Sequence, residues 1–179
     1  MDQPQITPAI DYSVSYYDPP RVKWWVLFLL LVAANITISL ATPNYLSEFL
    51  QSLLFEIWGI YLCIFLRRLN PQSKSLYWLL AAIVANCSGI ILEVTVAPES
   101  PLSYVAAITQ LAGFGFYITA IYVMRAELTR HYREQEQFPM TLGPFMTFFF
   151  SYIYFQYHLY DIAQYKHDQR TRINTAFTG

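Results

Sequence analysis

The sequence is poor in charged residues, which make up only 13% of it, against about 25% in typical soluble domains. Hydrophobic residues reach 55%. A soluble chain of 179 residues has too little interior to bury that much apolar surface. The composition therefore excludes an ordinary soluble domain and predicts an integral membrane protein, with the lipid bilayer as its solvent. The net charge of −1 provides no basic excess, so we expect no nucleic-acid partner.

The sequence also lacks the short motifs that mark common catalytic and cofactor sites. It contains no phosphate-binding glycine loop, no dinucleotide-binding fingerprint, and no G-x-S-x-G, H-E-x-x-H or C-x-x-C. Its two cysteines, Cys63 and Cys87, lie in apolar runs without metal-ligand spacing, so we interpret them as small packing residues. We therefore expect no catalytic residues, no metal and no cofactor.

Four long apolar runs are present instead, each close to the roughly 20 residues that cross a bilayer core as a helix. The predicted spans cover residues 24–41, 45–66, 76–96 and 104–124. They form a predicted transmembrane bundle over residues 21–136, after an irregular, proline-containing tail at residues 1–20. The predicted fold class is all-α, a polytopic integral membrane protein with four transmembrane helices.

The first apolar run also resembles a signal peptide. A basic flank precedes it, and Ser39-Leu40-Ala41 has the small-x-small form of a cleavage site. The run is long for a leader, however, and Pro43 follows directly after the potential cut. We therefore expect an uncleaved signal anchor that remains as the first span.

The positive charges predict the orientation of the bundle. With four crossings and the N-terminus inside, the basic residues before residue 24, in the loop at 67–74 and after residue 124 are all cytoplasmic. The two outer turns then contain no Lys or Arg. Cytoplasmic loops of membrane proteins carry this excess of positive charge. We therefore expect both termini in the cytoplasm and a cell-membrane location, with a bacterial inner membrane favoured.

A fifth apolar segment lies within residues 137–168, since 138–160 contains no charge and Gly143-Pro144 favours a helix start near Phe145. At helical spacing this segment has an aromatic side and a polar stripe. The polar stripe consists of Thr147, Ser151, Tyr154, His158, Asp161 and Tyr165. A fifth crossing would place the basic tail at residues 169–179 outside. We therefore predict an aromatic amphipathic helix that is interfacial or re-entrant, with a fifth span as the alternative.

Polar residues inside the spans are the candidates for an ion site. They are Glu56, Glu93, Glu48, Asn86, Gln110 and Asn35. No Lys, Arg or His lies in the predicted spans to pair with the glutamates, and ionisable groups cost a few kcal/mol at the centre of a membrane helix. Glu56 is the deepest, whereas Glu48 and Glu93 lie within reach of headgroup water. One interpretation is an acidic cavity for protons or a cation, and the other is hydrogen bonding between helices.

His158, with Asp161 one turn after it and Tyr154 one turn before it, is a second candidate site. A histidine oriented by a carboxylate can serve a proton relay or a metal site. The alternative is a polar surface that meets lipid headgroups or a partner chain. A single histidine at this spacing favours the second interpretation.

Three functions from different classes are consistent with these features. The first is a non-catalytic membrane protein that self-associates or supports a larger membrane complex, so its partner is a second copy or another membrane subunit. The second is an oligomeric proton or cation channel or transporter that uses the intramembrane glutamates. The third is a membrane redox protein or enzyme that uses His158 and Asp161. The sequence favours the first, because it has hardly any soluble domain and no site motif.

Overall fold

The computed structural model describes residues 19–41, 44–97, 99–136 and 138–178. In that part of the chain the helices are α1 (Trp24–Ala41), α2 (Asn44–Leu69), α3 (Ser75–Thr95), α4 (Pro101–Arg130) and α5 (Pro144–Thr178). A π-helical turn, His131–Gln135, follows α4 directly. Most of the tail predicted at residues 1–20 lies outside the described residues, as does the side chain of Glu48.

In the described part of the chain, four helices are long and apolar enough to cross a membrane, which confirms the predicted all-α fold with four spans. These helices comprise Trp24–Ala41, Phe49–Leu69, Ser75–Thr95 and Pro101–Gln135. α4 begins earlier and ends later than the predicted span. Its start is fixed by Ser100, whose side chain accepts a hydrogen bond from the Leu102 amide, with Pro101 at the first helical position. It continues past Arg125 to Arg130. The charge of Arg125 ends the apolar run in the sequence, but it does not interrupt the backbone hydrogen bonds of the helix.

α3 and α4 are the most extensively packed pair of helices and run antiparallel. Gly89 lies against Gln110, and Gly113 lies against Asn86. A Cβ at either glycine would overlap the facing side chain, so both positions depend on glycine for the close approach. Helices in lipid associate through such van der Waals contact, since lipid chains are as apolar as the side chains that they would replace. Close packing at these two glycines therefore holds α3 against α4.

The buried core lies towards the end of the bundle where α2 and α4 terminate. α1 contributes little to the interior and buries only Leu27 and Leu31. The largest apolar contributions come from the C-terminal half of α2, from α4 and from α5. They include Leu62, Leu66, Ile121, Met124, Leu128, Phe155 and Leu159. The fifth helix is thus part of the core and not an appendage to it.

α5 is interrupted at Ser151, whose backbone has φ 41° and ψ −118°. Before this residue the chain runs antiparallel to α4. Arg125 Nε donates to the Leu142 carbonyl oxygen, Tyr122 donates to the Pro144 carbonyl oxygen, and Tyr117 donates to Ser151 Oγ. These hydrogen bonds take residues 142–151 progressively further into the bundle.

After Ser151 the chain reverses and returns towards the end of the bundle at which residues 142–144 lie. Gln156 Nε2 donates to the carbonyl oxygens of Pro20 and Val22, at the start of α1. The Gly143 amide donates to the Tyr154 hydroxyl at 3.2 Å, although one straight helix would separate residues 143 and 154 by roughly 16 Å along its axis. α5 is therefore a helical hairpin that reverses at Ser151, and not one straight helix.

The break at Ser151 corrects one feature of the predicted amphipathic helix. Its aromatic side is not continuous, since Phe145, Phe148 and Phe149 before the break are exposed, whereas Tyr152 and Phe155 after it are buried. A helical period assumes one straight axis, and the axis changes direction here. After the break the polar stripe is kept, with Tyr154 and His158 half-buried and Asp161 exposed. α5 also continues to Thr178, through the segment predicted as a separate tail.

Candidate functional site

Glu56 is buried in the middle of α2, with 6% of its surface exposed. It lines a cavity of about 10 Å³ between α2 and α3, together with Ser52 and Asn86. The rest of the lining is apolar or weakly polar and comprises Phe49, Leu53, Ile83, Cys87 and Ile90. Among the described residues, Glu56 Oε2 has no hydrogen-bond partner. Two of the predicted candidates, Glu56 and Asn86, therefore meet in one site on neighbouring helices.

The size of this cavity limits its chemistry. A buried site needs roughly 10–15 Å³ and two to four polar partners to hold one water molecule. The Glu56 cavity, at about 10 Å³, has room for about one water. It can hold a small species next to a carboxyl group, but it is too small to be an aqueous path for ions.

The tip of the α5 hairpin packs against the same part of α2. Tyr152 lies against Gly59, one turn after Glu56, where a Cβ would overlap the tyrosine ring. Its ring also contacts Tyr117 of α4 edge-on, with 5.9 Å between the ring centroids. The contact between Tyr152 and Gly59 was not predicted from the sequence. Gly59, the one glycine of α2, was the residue that could have indicated a close approach there.

Glu93 does not share the Glu56 cavity. Gln110 Nε2 of α4 donates a 2.8 Å hydrogen bond to Glu93 Oε2, on an exposed part of the helix pair. The two predicted candidates Glu93 and Gln110 thus meet each other and link α3 to α4. The third glutamate of the predicted acidic cavity, Glu48, has its side chain outside the described residues.

Asn35 lies at the contact between α1 and α2. Its side-chain amide donates to the Leu31 carbonyl oxygen of its own helix at 3.0 Å. Its backbone carbonyl oxygen accepts from Gln51, which also donates to Ser39 Oγ at 2.7 Å. Gln51 therefore makes the hydrogen bonds that link α1 to α2. It is the one glutamine of α2 and was not among the predicted candidates.

His158 and Asp161 do not form a paired site. Within the described part of the chain, no hydrogen bond or ion pair joins them, and His158 instead contacts the Tyr154 ring edge-on at 4.7 Å. Burial lowers the pKa of His158, and the charge of Asp161 only partly opposes this shift. The imidazole packs against the rings of Tyr154 and Tyr157, in the part of α5 that follows Ser151.

A further ionic cluster, which spacing in the sequence does not reveal, joins the end of α4 to α5. The Lys166 ammonium lies 2.7 Å from both carboxylate oxygens of Glu136, and His131 Nε2 lies 3.4 Å from Glu136 Oε1. Burial raises the pKa of the Glu136 carboxyl, but the His131 and Lys166 side chains lower it by more, so the net shift is downward. The cluster holds α5 against the π-helical turn, a feature that often marks functional sites.

The described residues contain no group of three or more His, Cys, Asp or Glu side chains that could hold a metal ion. The arrangement thus offers one buried carboxyl next to a cavity, one exposed interhelical polar pair and one ionic cluster at the end of α4. No protein-family model, curated protein or solved structure matches this chain.

Proposed function

We propose that this chain is a non-catalytic polytopic membrane protein that self-associates or supports a larger membrane complex. The observation that carries the proposal is the exposed hydrogen bond between Glu93 and Gln110. Ionisable side chains in membrane helices nearly always face a protein interior or a water-filled cavity, because lipid solvates them poorly. A carboxylate on the outer surface of the bundle therefore indicates a second protein surface that covers it.

The depth of this pair supports the same conclusion. Glu93 lies near the end of α3, from where a side chain alone can reach headgroup water. Gln110, however, is nine residues after Pro101 in α4, or about 13 Å along the helix axis. The hydrogen bond directs the Glu93 carboxylate towards Gln110 and away from the helix ends. Polar side chains in this position associate helices across an interface.

The other two functions have less support. An oligomeric channel would need the glutamates to face one common path, whereas Glu56 and Glu93 have different surroundings and the Glu56 cavity has room for about one water. A redox protein or enzyme at His158 would need a partner group, and the described contacts of this imidazole are aromatic.

We also propose that the protein lies in a cell membrane, a bacterial inner membrane being favoured, with both termini in the cytoplasm. Support comes from the absence of Lys and Arg in the two outer turns. The hydrogen bonds from Gln156 to Pro20 and Val22 also support this topology. They join the part of α5 after Ser151 to the residues just before α1.

Association is tested by counting photobleaching steps of labelled full-length protein in liposomes at high lipid-to-protein ratio. The test variant is Glu93→Ala, and the matched control is Glu99→Ala, which removes an exposed carboxylate from the neighbouring loop. We expect two or more steps for the wild type and for the control, and mainly single steps for Glu93→Ala. A wild-type protein that is monomeric at every dilution, and that co-purifies with no other membrane protein, would contradict the proposal.

A further inference from the structure

The Glu56 carboxyl group has an unusual environment for a charged side chain. It is 12 residues after Asn44 and 13 residues before Leu69, so it lies at the middle of α2. It is more than nine-tenths buried, and its Oε2 has no hydrogen-bond partner among the described residues. An ionised carboxylate in such a place loses its hydration without compensation, which is strongly unfavourable.

No cationic group among the described residues forms an ion pair with the Glu56 carboxyl group. The other polar residues that line its cavity are Ser52 and Asn86, which are neutral. Buried carboxyl groups without a cation bind a proton instead of remaining charged. The neutral acid has an O–H group to donate, and that group then needs an acceptor of its own.

The cavity supplies room for that acceptor. Its volume of about 10 Å³ is about that needed for a single water molecule. The carboxyl group of Glu56, the amide of Asn86 and the hydroxyl of Ser52 line it and are three polar partners, within the two to four that a bound water uses. A water here accepts the O–H of Glu56 and donates to an oxygen on the opposite wall.

We propose that Glu56 is protonated and that it holds, with Asn86 and Ser52, one water molecule in the cavity between α2 and α3. This makes the cavity a proton-binding site inside the bundle, independent of whether the chain associates. A metal cation is the competing occupant, but among the described residues three side chains that carry oxygen line the cavity, and hard cations take about six oxygen ligands or more.

Protonation is tested on the full-length protein in liposomes with a hydrophobic carbodiimide. This reagent adds to protonated carboxyl groups in apolar surroundings, and peptide mass spectrometry locates the adduct. We expect an adduct on Glu56 at neutral pH that is absent from Glu56→Gln and retained in Glu93→Gln. The adduct on wild-type Glu56 is decisive by itself, even if Glu56→Gln folds poorly. Absence of the adduct, or its loss when sodium chloride replaces choline chloride, would overturn the proposal in favour of an ionised carboxylate with a bound cation.

The water is tested by infrared spectroscopy of the protonated carboxyl stretch. Ser52→Ala removes one partner of the water, so we expect the band of Glu56 to move to higher frequency as its hydrogen bonding weakens. Ser88→Ala, at an exposed position of α3, is the matched control and should leave the band in place. A band that Ser52→Ala leaves unchanged, or that both variants move equally, would contradict a water held by Ser52.

Discussion

The Tyr117 hydroxyl of α4 donates a 3.3 Å hydrogen bond to Ser151 Oγ, at the residue where α5 reverses direction. Ser151 is the one non-glycine residue with positive φ in the described part of the chain. Its φ and ψ are close to the first central position of a type II′ turn, which glycine normally occupies. The tertiary contact with Tyr117 therefore stabilises a backbone conformation that serine by itself disfavours.

The backbone at Ser151 predicts the relative stability of two substitutions. Both Ser151→Gly and Ser151→Ala lose the hydrogen bond to Tyr117, and they differ only in the Cβ that the positive φ disfavours. We expect Ser151→Gly to be more stable than Ser151→Ala by about 1–2 kcal/mol, measured as unfolding free energy in mixed micelles. Equal stability of the two variants would mean that the reversal does not need this backbone conformation.

Gly59 is predicted to be essential for docking of the α5 hairpin. A Cβ at this position overlaps the Tyr152 ring, so we expect Gly59→Ala to destabilise the protein by about 1–3 kcal/mol. Gly115 of α4 is the matched control, because a Cβ there has nothing within 4 Å. Gly115→Ala should be neutral or stabilising by up to about 1 kcal/mol through helix propensity. Thermal unfolding of both variants checks the prediction, which fails if they behave alike.

The Glu136 cluster predicts a loss of stability in acid. Because the pKa of Glu136 is lower in the folded state, its contribution is present above the unfolded pKa of about 4.3 and is lost as the pH falls through the folded value. Glu136→Gln should remove about 1–3 kcal/mol at neutral pH, as expected for hydrogen bonds to a charged group. The unfolding free energy of this variant should also lack the decrease that protonation of Glu136 causes in the wild type as the pH falls.

The matched control for Glu136 is Glu134→Gln, an exposed glutamate in the same π-helical turn. Unfolding free energies of both variants are compared with the wild type from pH 7 downward. If Glu134→Gln shows the larger loss, or if Glu136→Gln keeps the full acid dependence, the ion pair with Lys166 does not hold α5 to α4.

The proposed topology predicts the side from which a cysteine at position 178 is labelled. In a background with both native cysteines replaced by alanine, a membrane-impermeant thiol reagent should not label Thr178→Cys in intact cells and should label it after the membrane is opened. Glu99→Cys, in the loop between α3 and α4, is the control and should be labelled in intact cells. Labelling of position 178 from outside would require a fifth crossing.

Much of the fold follows from local sequence properties. Each span of about 20 apolar residues gains its membrane stability from the transfer of its own side chains, so the four spans are visible without any knowledge of their neighbours. The Ser100-Pro101 start of α4 is equally local. The polar candidate residues could also be identified from the sequence, because a polar or ionisable residue within an apolar run stands out from its neighbours.

The partners of those candidates depend on how each helix is rotated about its axis, which a helical period does not specify. Close packing at Gly89 and Gly113 sets the contact of α3 with α4, so Glu93 meets Gln110 while Asn86 reaches the Glu56 cavity. The reversal of α5 is likewise a tertiary feature, because a serine carries no local signal for positive φ. The amino-acid sequence by itself thus determined which segments enter the membrane. Contacts of Tyr117, Gly59 and Gln156 decided that the fifth segment turns back, because only packing against other helices offsets a disfavoured backbone.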